Sequence, residues 1–161
     1  MRKKYHLLIW PALAVLVMDQ ISKWAVLNGF QPYESIPVIK GLFNLIRVHN
    51  RGMAFGIMNR NQGAFGFYFL ILATLAAIVL LLYWVRHLKQ NEVGITFGLG
   101  LILGGAIGNL VDRVHLGSVV DFLDFHLGSH HWPAFNLADS AITVGTIWVA
   151  FYLIFKSRHR S

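Results

Sequence analysis

Residues 117–140 read GSVVDFLDFHLGSHHWPAFNLADS, a polar-punctuated stretch lying between two very apolar segments. Of the seven acidic side chains in the chain, Asp121, Asp124 and Asp139 fall inside it. The apolar segments on either side, 93–114 and 137–155, are each close to the ~20 residues an α-helix needs to cross a bilayer core. The stretch therefore reads as a connection whose acids sit where lipid meets water. Working outward, two more apolar segments appear at 7–27 and 65–85. Lipid offers the backbone no hydrogen-bond partner, so all four are expected to be helices.

Composition supports this reading. Hydrophobic residues make up 56% of the chain and charged residues 13%, against roughly 25% charged in soluble domains. The length suits a single membrane-embedded domain, 1–161. The net charge of +7 does not point to nucleic acid, because the basic residues form no patch beside aromatic platforms. They gather instead at the two ends (Arg2, Lys3, Lys4; Lys156, Arg158, Arg160) and in one short linker (Arg86, Lys89). The positive-inside rule then places both termini and that linker in the cytoplasm. The connections 28–64 and 115–136 are expected on the extracytoplasmic side. With no cysteine, disulfides, thiol catalysis and thiolate metal sites are excluded. The first apolar segment carries Asp19 and Lys23 and lacks a small-residue cleavage signal, so it reads as a retained helix.

Six of the seven acids fall on the extracytoplasmic side of this topology, leaving only Glu92 inside. Asp19 and Lys23 are one turn apart on one helix face, the spacing of a structural ion pair. Asn109, Asp112 and Arg113 share another face at i, i+3, i+4. A charge at the bilayer centre costs roughly 2.5–3.5 kcal/mol even on the lenient insertion scale, so such groups are seldom idle. Interfacial snorkelling explains any one of them more easily than it explains the convergent set. Gly100, Gly104 and Gly108, preceded by Gly94 and Gly98, have the spacing that lets helices approach closely in lipid. In 28–64 the run 42–50 partly alternates like a strand, and Asn50, Arg51 and Gly52 follow where glycine permits tight backbone near a ligand. A small β element resting on the membrane surface is expected there.

The chemistry rests on carboxylates. Asn136 is a natural N-cap, with Asp139 at the third helical position, where the helix dipole favours an anion. Capping alone accounts for an acid at 139, but not for Asp121 between Val119-Val120 and Phe122. If Asp121 and Asp139 meet, repulsion and desolvation make them share one proton near neutral pH. One would then activate water while the other donates to a carbonyl oxygen, as in aspartic proteases. Asp139 is expected to carry the charge more often, and Asp121 the proton.

The chain resembles the bacterial lipoprotein signal peptidases (signal peptidase II) along nearly its whole length. The resemblance is carried by Asp19-Gln20-Ile21-Ser22-Lys23 and Asn50-Arg51-Gly52-Met53-Ala54-Phe55-Gly56. It continues through Gly104–Arg113, Val119-Val120-Asp121-Phe122 and Phe135-Asn136-Leu137-Ala138-Asp139-Ser140. It implies four transmembrane helices, a small extracytoplasmic β-sheet cradle and a mobile outer helix. It also implies an aspartic endopeptidase of the bacterial inner (cytoplasmic) membrane, with its active site at the extracytoplasmic face. Such enzymes remove the signal peptide of diacylglyceryl-modified prolipoproteins, cutting just before the lipidated cysteine. By motif match Asp121 and Asp139 become the catalytic pair. Asp19, Lys23, Asn50, Gly52, Asn109, Asp112, Arg113 and Asn136 become supporting or substrate-binding residues. Phe43, Phe55, Trp132 and Phe135 suit an apolar wall, or equally an interfacial aromatic belt. No metal, cofactor, nucleic acid or obligatory protein partner is implied; the partners are the prolipoproteins and membrane lipids.

Three other readings compete. His126, His130 and His131 offer a metal-ligand spacing, but Gly128 and Ser129 break it and no His-Glu-x-x-His arrangement occurs. A transporter would use Asp19, Lys23, Asp112 and Arg113 to line a path. Their gathering on one side, with only Thr74 and Thr143 polar near the midplane of the second and fourth helices, argues against it. A non-catalytic assembly subunit would have no peptidase activity to lose.

Overall fold

The computed structural model describes residues 2–52 and 63–158. In order they form α1 (Arg2–Gly29), β1 (Ser35–Ile39), β2 (Phe43–Asn50), α2 (Gly63–His87), α3 (Val93–Leu116), β3 (Val119–Leu127), β4 (His130–His131) and α4 (Leu137–Arg158). Among the described residues, four helices are long and apolar enough to cross a membrane. No separate outer helix occurs among the described residues, and the motif residues Met53 to Gly56, Phe55 included, lie outside them.

α3 is the axis of the bundle. Just over half of its most apolar window is buried (56%), against 11–17% for the other three spans. Its glycines sort into two stripes rather than one. Gly100, Gly104 and Gly108 face α1: a Cβ on Gly100 would lie 2.7 Å from the Leu8 carbonyl, and one on Gly104 2.5 Å from that of Ala12. Gly94, Gly98 and Gly105 face α4, meeting Tyr152, Val149 and the Ala138 carbonyl. Lipid gives helices no hydrophobic reason to associate, so this close approach supplies dispersion contact instead. α2 joins at one end, where Leu81, Val85 and Leu88 pack with Leu8, Ile95 and Leu99. There Lys4, one of the basic residues at the N-terminal end of the chain, is buried. Its ammonium donates to the carbonyls of Val85 (2.9 Å), Leu88 (3.0 Å) and Arg86 (3.3 Å), closing the negative end of α2.

At the opposite end lies an antiparallel sheet in the order β1-β2-β3-β4. It is larger than the strand expected over 42–50. β1 lies in a stretch that reads as turn because of Pro37, yet an edge strand tolerates a residue without an N–H. β3 lies in the supposed connection 115–136 and shows no clean alternation, because Val119 to Phe122 are buried on both faces. Gly117 takes φ +68 at the end of α3, its N–H donating to the Arg113 carbonyl, and turns the chain directly into β3. The sheet is tied to the bundle by Val120 and Phe122 against Val26. Arg47 adds to this, donating to the carbonyls of Leu27 (3.0 Å) and Phe30 (2.7 Å).

Gly104→Ala should lower stability by about 1–3 kcal/mol, because its new methyl meets α1 backbone that cannot rotate away. Gly29→Ala, with nothing within 4 Å of the added atom, should shift it by no more than about 0.5 kcal/mol. Equal thermal unfolding midpoints for the two variants in detergent would refute the α1–α3 contact.

Candidate functional site

The polar residues singled out in sequence converge at the junction of bundle and sheet. At the centre Lys23 of α1, 2% exposed, places its ammonium 2.8 Å from Asp19, 2.8 Å from Asp112 and 3.0 Å from the Asn109 side-chain oxygen. One ammonium has three donors, and all three are used. Each carboxylate then reaches a further element. Asp19 accepts the Ala138 backbone N–H at 3.0 Å, fixing the first turn of α4. Asp112 accepts the Val120 N–H at 3.1 Å, fixing β3. Gln20 carried no role in the sequence reading, yet it bridges Asp19 (3.2 Å), Asp112 (3.0 Å) and the Gly108 carbonyl (3.3 Å). Only the third dimension brings it to Asp112 and Gly108, 92 and 88 residues away.

Asn136, with no exposed surface, joins Asp121 and Asp139. It caps α4, accepting the Asp139 N–H at 2.9 Å on its side-chain oxygen, while Asp139 accepts the Asn136 N–H at 3.4 Å. This reciprocal arrangement is a capping box with an aspartate at the third position. The side-chain NH2 of Asn136 shares its two hydrogens among Asp121 (2.8 Å), the Asn109 side-chain oxygen (3.2 Å) and the Val120 carbonyl (3.3 Å). Asn109 in turn donates to Asp139 at 2.7 Å. Each aspartate is thus held by an asparagine amide, and the two amides hold each other. On its other oxygen Asp121 accepts from Asn50 at 2.9 Å. The Asn50 amide is oriented by Gly52, whose N–H, at φ +85, donates to the Asn50 oxygen at 2.8 Å. Arg113 donates to the Asn109 carbonyl at 3.3 Å and lies within electrostatic reach of Asp139, Asp112 and Asp121.

The two carboxylates differ in surroundings. Asp121 is 2% exposed, whereas Asp139 is half-buried. Burial pushes the Asp121 carboxyl up from 3.8 to about 6; the Asn50 and Asn136 hydrogen bonds oppose the rise and the charge of Asp139 adds to it. Asp124, the third acid of the opening stretch, stands apart in a pairing of β2, β3 and β4. It accepts from His131 (2.8 Å) and Asn44 (2.8 Å). Burial works to raise its pKa, but the His131 and Asn44 hydrogen bonds outweigh burial and hold it below the usual range. His126 stacks on His131 at 4.6 Å between ring centroids. Among the described residues no group of three or more His, Asp or Glu is placed to hold a metal ion. Phe43, Phe125 and Phe135 stack in a ladder across the sheet, while Trp132 is largely exposed.

Four spanning-length helices carrying a buried, ion-paired polar centre with two amide-bracketed carboxylates define a polytopic membrane protein with the parts of an acid–base site. The family described as signal peptidase (SPase) II matches residues 11–155. The chain is 42% identical over 153 residues to the lipoprotein signal peptidase of Nitratidesulfovibrio vulgaris (strain DP4), covering 95% of this chain and 92% of that protein. It is 39% identical over 161 residues to that of Syntrophus aciditrophicus (strain SB), covering 100% of both. A solved bacterial membrane enzyme, determined by the in meso method at 2.3 Å resolution, superposes with a TM-score of 0.81 at 29% identity. That superposition covers 94% of this chain and 89% of the other. The chain belongs to the signal peptidase II family. It is a peptide hydrolase, multi-pass in the membrane, of a family that cleaves signal peptides from prolipoproteins.

A carboxyl whose pKa is raised on folding stabilises the fold most below its unfolded value, and the contribution is lost as pH rises through the folded value. For Asp121 that window runs from 3.8 to about 6. Between pH 4 and pH 8 the parent should therefore lose about 2–3 kcal/mol of stability relative to Asp121→Asn, whose amide does not titrate. A constant difference between variant and parent across that range would count against a buried, raised carboxyl.

Proposed function

We propose that Asp121 and Asp139 are the catalytic pair of an aspartic endopeptidase that releases the signal peptide of diacylglyceryl-modified prolipoproteins, cutting just before the lipidated cysteine. The supporting observation is the bracket of Asn136 and Asn109, which holds two carboxylates from separate elements in unlike surroundings. Asp139, at the start of α4 and half-buried, is the anion that takes a proton from the attacking water. Asp121, buried, is the acid that gives its proton to the scissile carbonyl oxygen. As the tetrahedral diol collapses, Asp139 gives its proton to the leaving amide nitrogen while a diol hydroxyl returns a proton to Asp121, so the C–N bond breaks and the starting protonation state is restored. Water is consumed, one peptide bond breaks, and the step uses no metal or cofactor.

Asn50, Gly52, Asn109 and Asn136 orient the pair, while Asp19, Lys23 and Asp112 hold α1, α3, β3 and α4 in register around it. Arg113 offsets negative charge beside the pair. The membrane setting fits such a substrate, because a signal peptide is an apolar helix and a diacylglyceryl group stays in lipid. On this reading the protein is one domain of the bacterial cytoplasmic membrane, with both termini cytoplasmic and the sheet extracytoplasmic. The orientation is supported by the basic residues at the ends of the chain and in the 86–89 linker.

Purified protein incubated with a diacylglyceryl-modified prolipoprotein should yield two products whose masses place the cut before the modified cysteine. Asp121→Ala and Asp139→Ala should abolish cleavage while remaining folded and membrane-inserted; cleavage surviving in either would remove that residue from the role. With Asp121 required in its protonated form, kcat/KM should fall as pH rises through about 6. Asn50→Leu, by removing a hydrogen bond that favours the ionised form, should move that fall to higher pH. Activity that instead rises as pH passes through about 6, with Asn50→Leu moving that rise to higher pH, would reverse the assignment of acid and base.

A further inference from the structure

On the flank of the bundle, α1 and α3 part near the sheet to leave a cavity of about 280 Å³. Its floor is polar, made by Gln20, Lys23 and Asp112; its walls are Trp24, Leu27, Val111 and Leu116, with His115 also lining it. The floor has spare acceptor capacity. The Asp112 Oδ1 atom accepts one hydrogen bond, from Gln20, and a carboxylate oxygen can take two. The Gln20 amide nitrogen is committed to acceptors, while among the described residues its oxygen accepts nothing. Charge points the same way. Asp19 and Asp112 set two negative charges against the single ammonium of Lys23, and the charge of Arg113 is divided among Asp112, Asp121 and Asp139. A hydrogen-bond donor carrying positive charge therefore complements this floor, whereas an anion does not.

Depth and shape identify the carrier. With 28 residues α1 is ~42 Å long and with 24 residues α3 is ~36 Å long at 1.5 Å per residue, both longer than the ~30 Å hydrocarbon core. Their outer turns, which supply Trp24, Leu27, His115 and Leu116, can therefore reach headgroup level. Trp24 is 67% exposed and Leu116 46% exposed, so an amphipathic ring and an aliphatic wall stand ready for a glycerol backbone and the top of an acyl chain.

We propose that this cavity is a binding site for a phospholipid with a primary ammonium headgroup, the ammonium donating to Asp112 and Gln20 and the acyl chain lying along Trp24 and Leu116. The lipid would supply, from outside the chain, positive charge that the polar centre lacks. The proposal does not depend on the peptidase reading, since its readout is lipid retention.

The test is native mass spectrometry of the intact detergent-purified protein offered equal amounts of phosphatidylethanolamine and phosphatidylcholine with identical acyl chains. The quaternary ammonium of the second has no N–H to donate. Phosphatidylethanolamine should be retained about tenfold over phosphatidylcholine, the worth of a charge-assisted hydrogen bond. Leu116→Trp, which fills the cavity from an exposed position, should bring that ratio to one. If that variant does not fold, Val111→Phe takes its place. Equal retention of the two lipids by the parent protein would overturn the proposal, as would a preference that persists in the filled variant. Retention of anionic phosphatidylglycerol equal to that of phosphatidylethanolamine would also overturn it.

Discussion

A single ammonium, that of Lys23, lets the rest of the structure exist. Asp19 and Asp112 are buried almost completely, and an unpaired carboxylate in such a setting costs several kcal/mol. Lys23 meets both at 2.8 Å and gives its third donor to Asn109. Because the two aspartates also accept backbone N–H groups from Ala138 and Val120, this one charge couples α1, α3, α4 and β3. Neutralising the pair would release two segments that carry Asp121 and Asp139. In a bilayer, where helix association gains little from burying apolar surface, such a polar joint sets register in a way that interchangeable aliphatic contacts do not.

Around that joint, packing and chemistry make opposite demands. The two glycine stripes of α3 bring α1 and α4 in until backbone meets backbone, which fixes the helices that carry the polar centre. Asp121 is placed where burial raises its carboxyl toward neutrality, an arrangement that costs stability at high pH. The asparagines reconcile the two. Asn136 and Asn109 satisfy both carboxylates without adding charge. A lysine or arginine in place of Asn136 would instead favour the ionised form of Asp121.

The sheet extends the same logic outward. Its inner residues Val120 and Phe122 anchor it to the end of α1, and its bulge between Leu45 and Val48 re-aims β2 so that Asn50 reaches Asp121 across from β3. Bulges commonly serve to redirect a side chain at a functional edge. The aromatic ladder of Phe43, Phe125 and Phe135 then continues from the segment that leads into Asn136.

The sequence by itself determined the four spanning helices, because a run of apolar residues in a 56% hydrophobic chain has no other way to satisfy its backbone. The Asp19–Lys23 pair, the N-cap at Asn136 and the close-packing glycines were also legible, since each is a matter of spacing within one helix. Strands β1 and β3 were not legible. Pro37 reads as turn, and Val119 to Phe122 are buried on both faces and so show no period of two. That Lys4 closes the end of α2, that Gln20 joins Asp19 to Asp112, and that Asn136 and Asn109 bracket Asp121 with Asp139 were decided only by tertiary structure. Such contacts span from 15 to 92 residues of chain, and a hydrogen bond closed over that distance leaves no periodicity in the segments it joins.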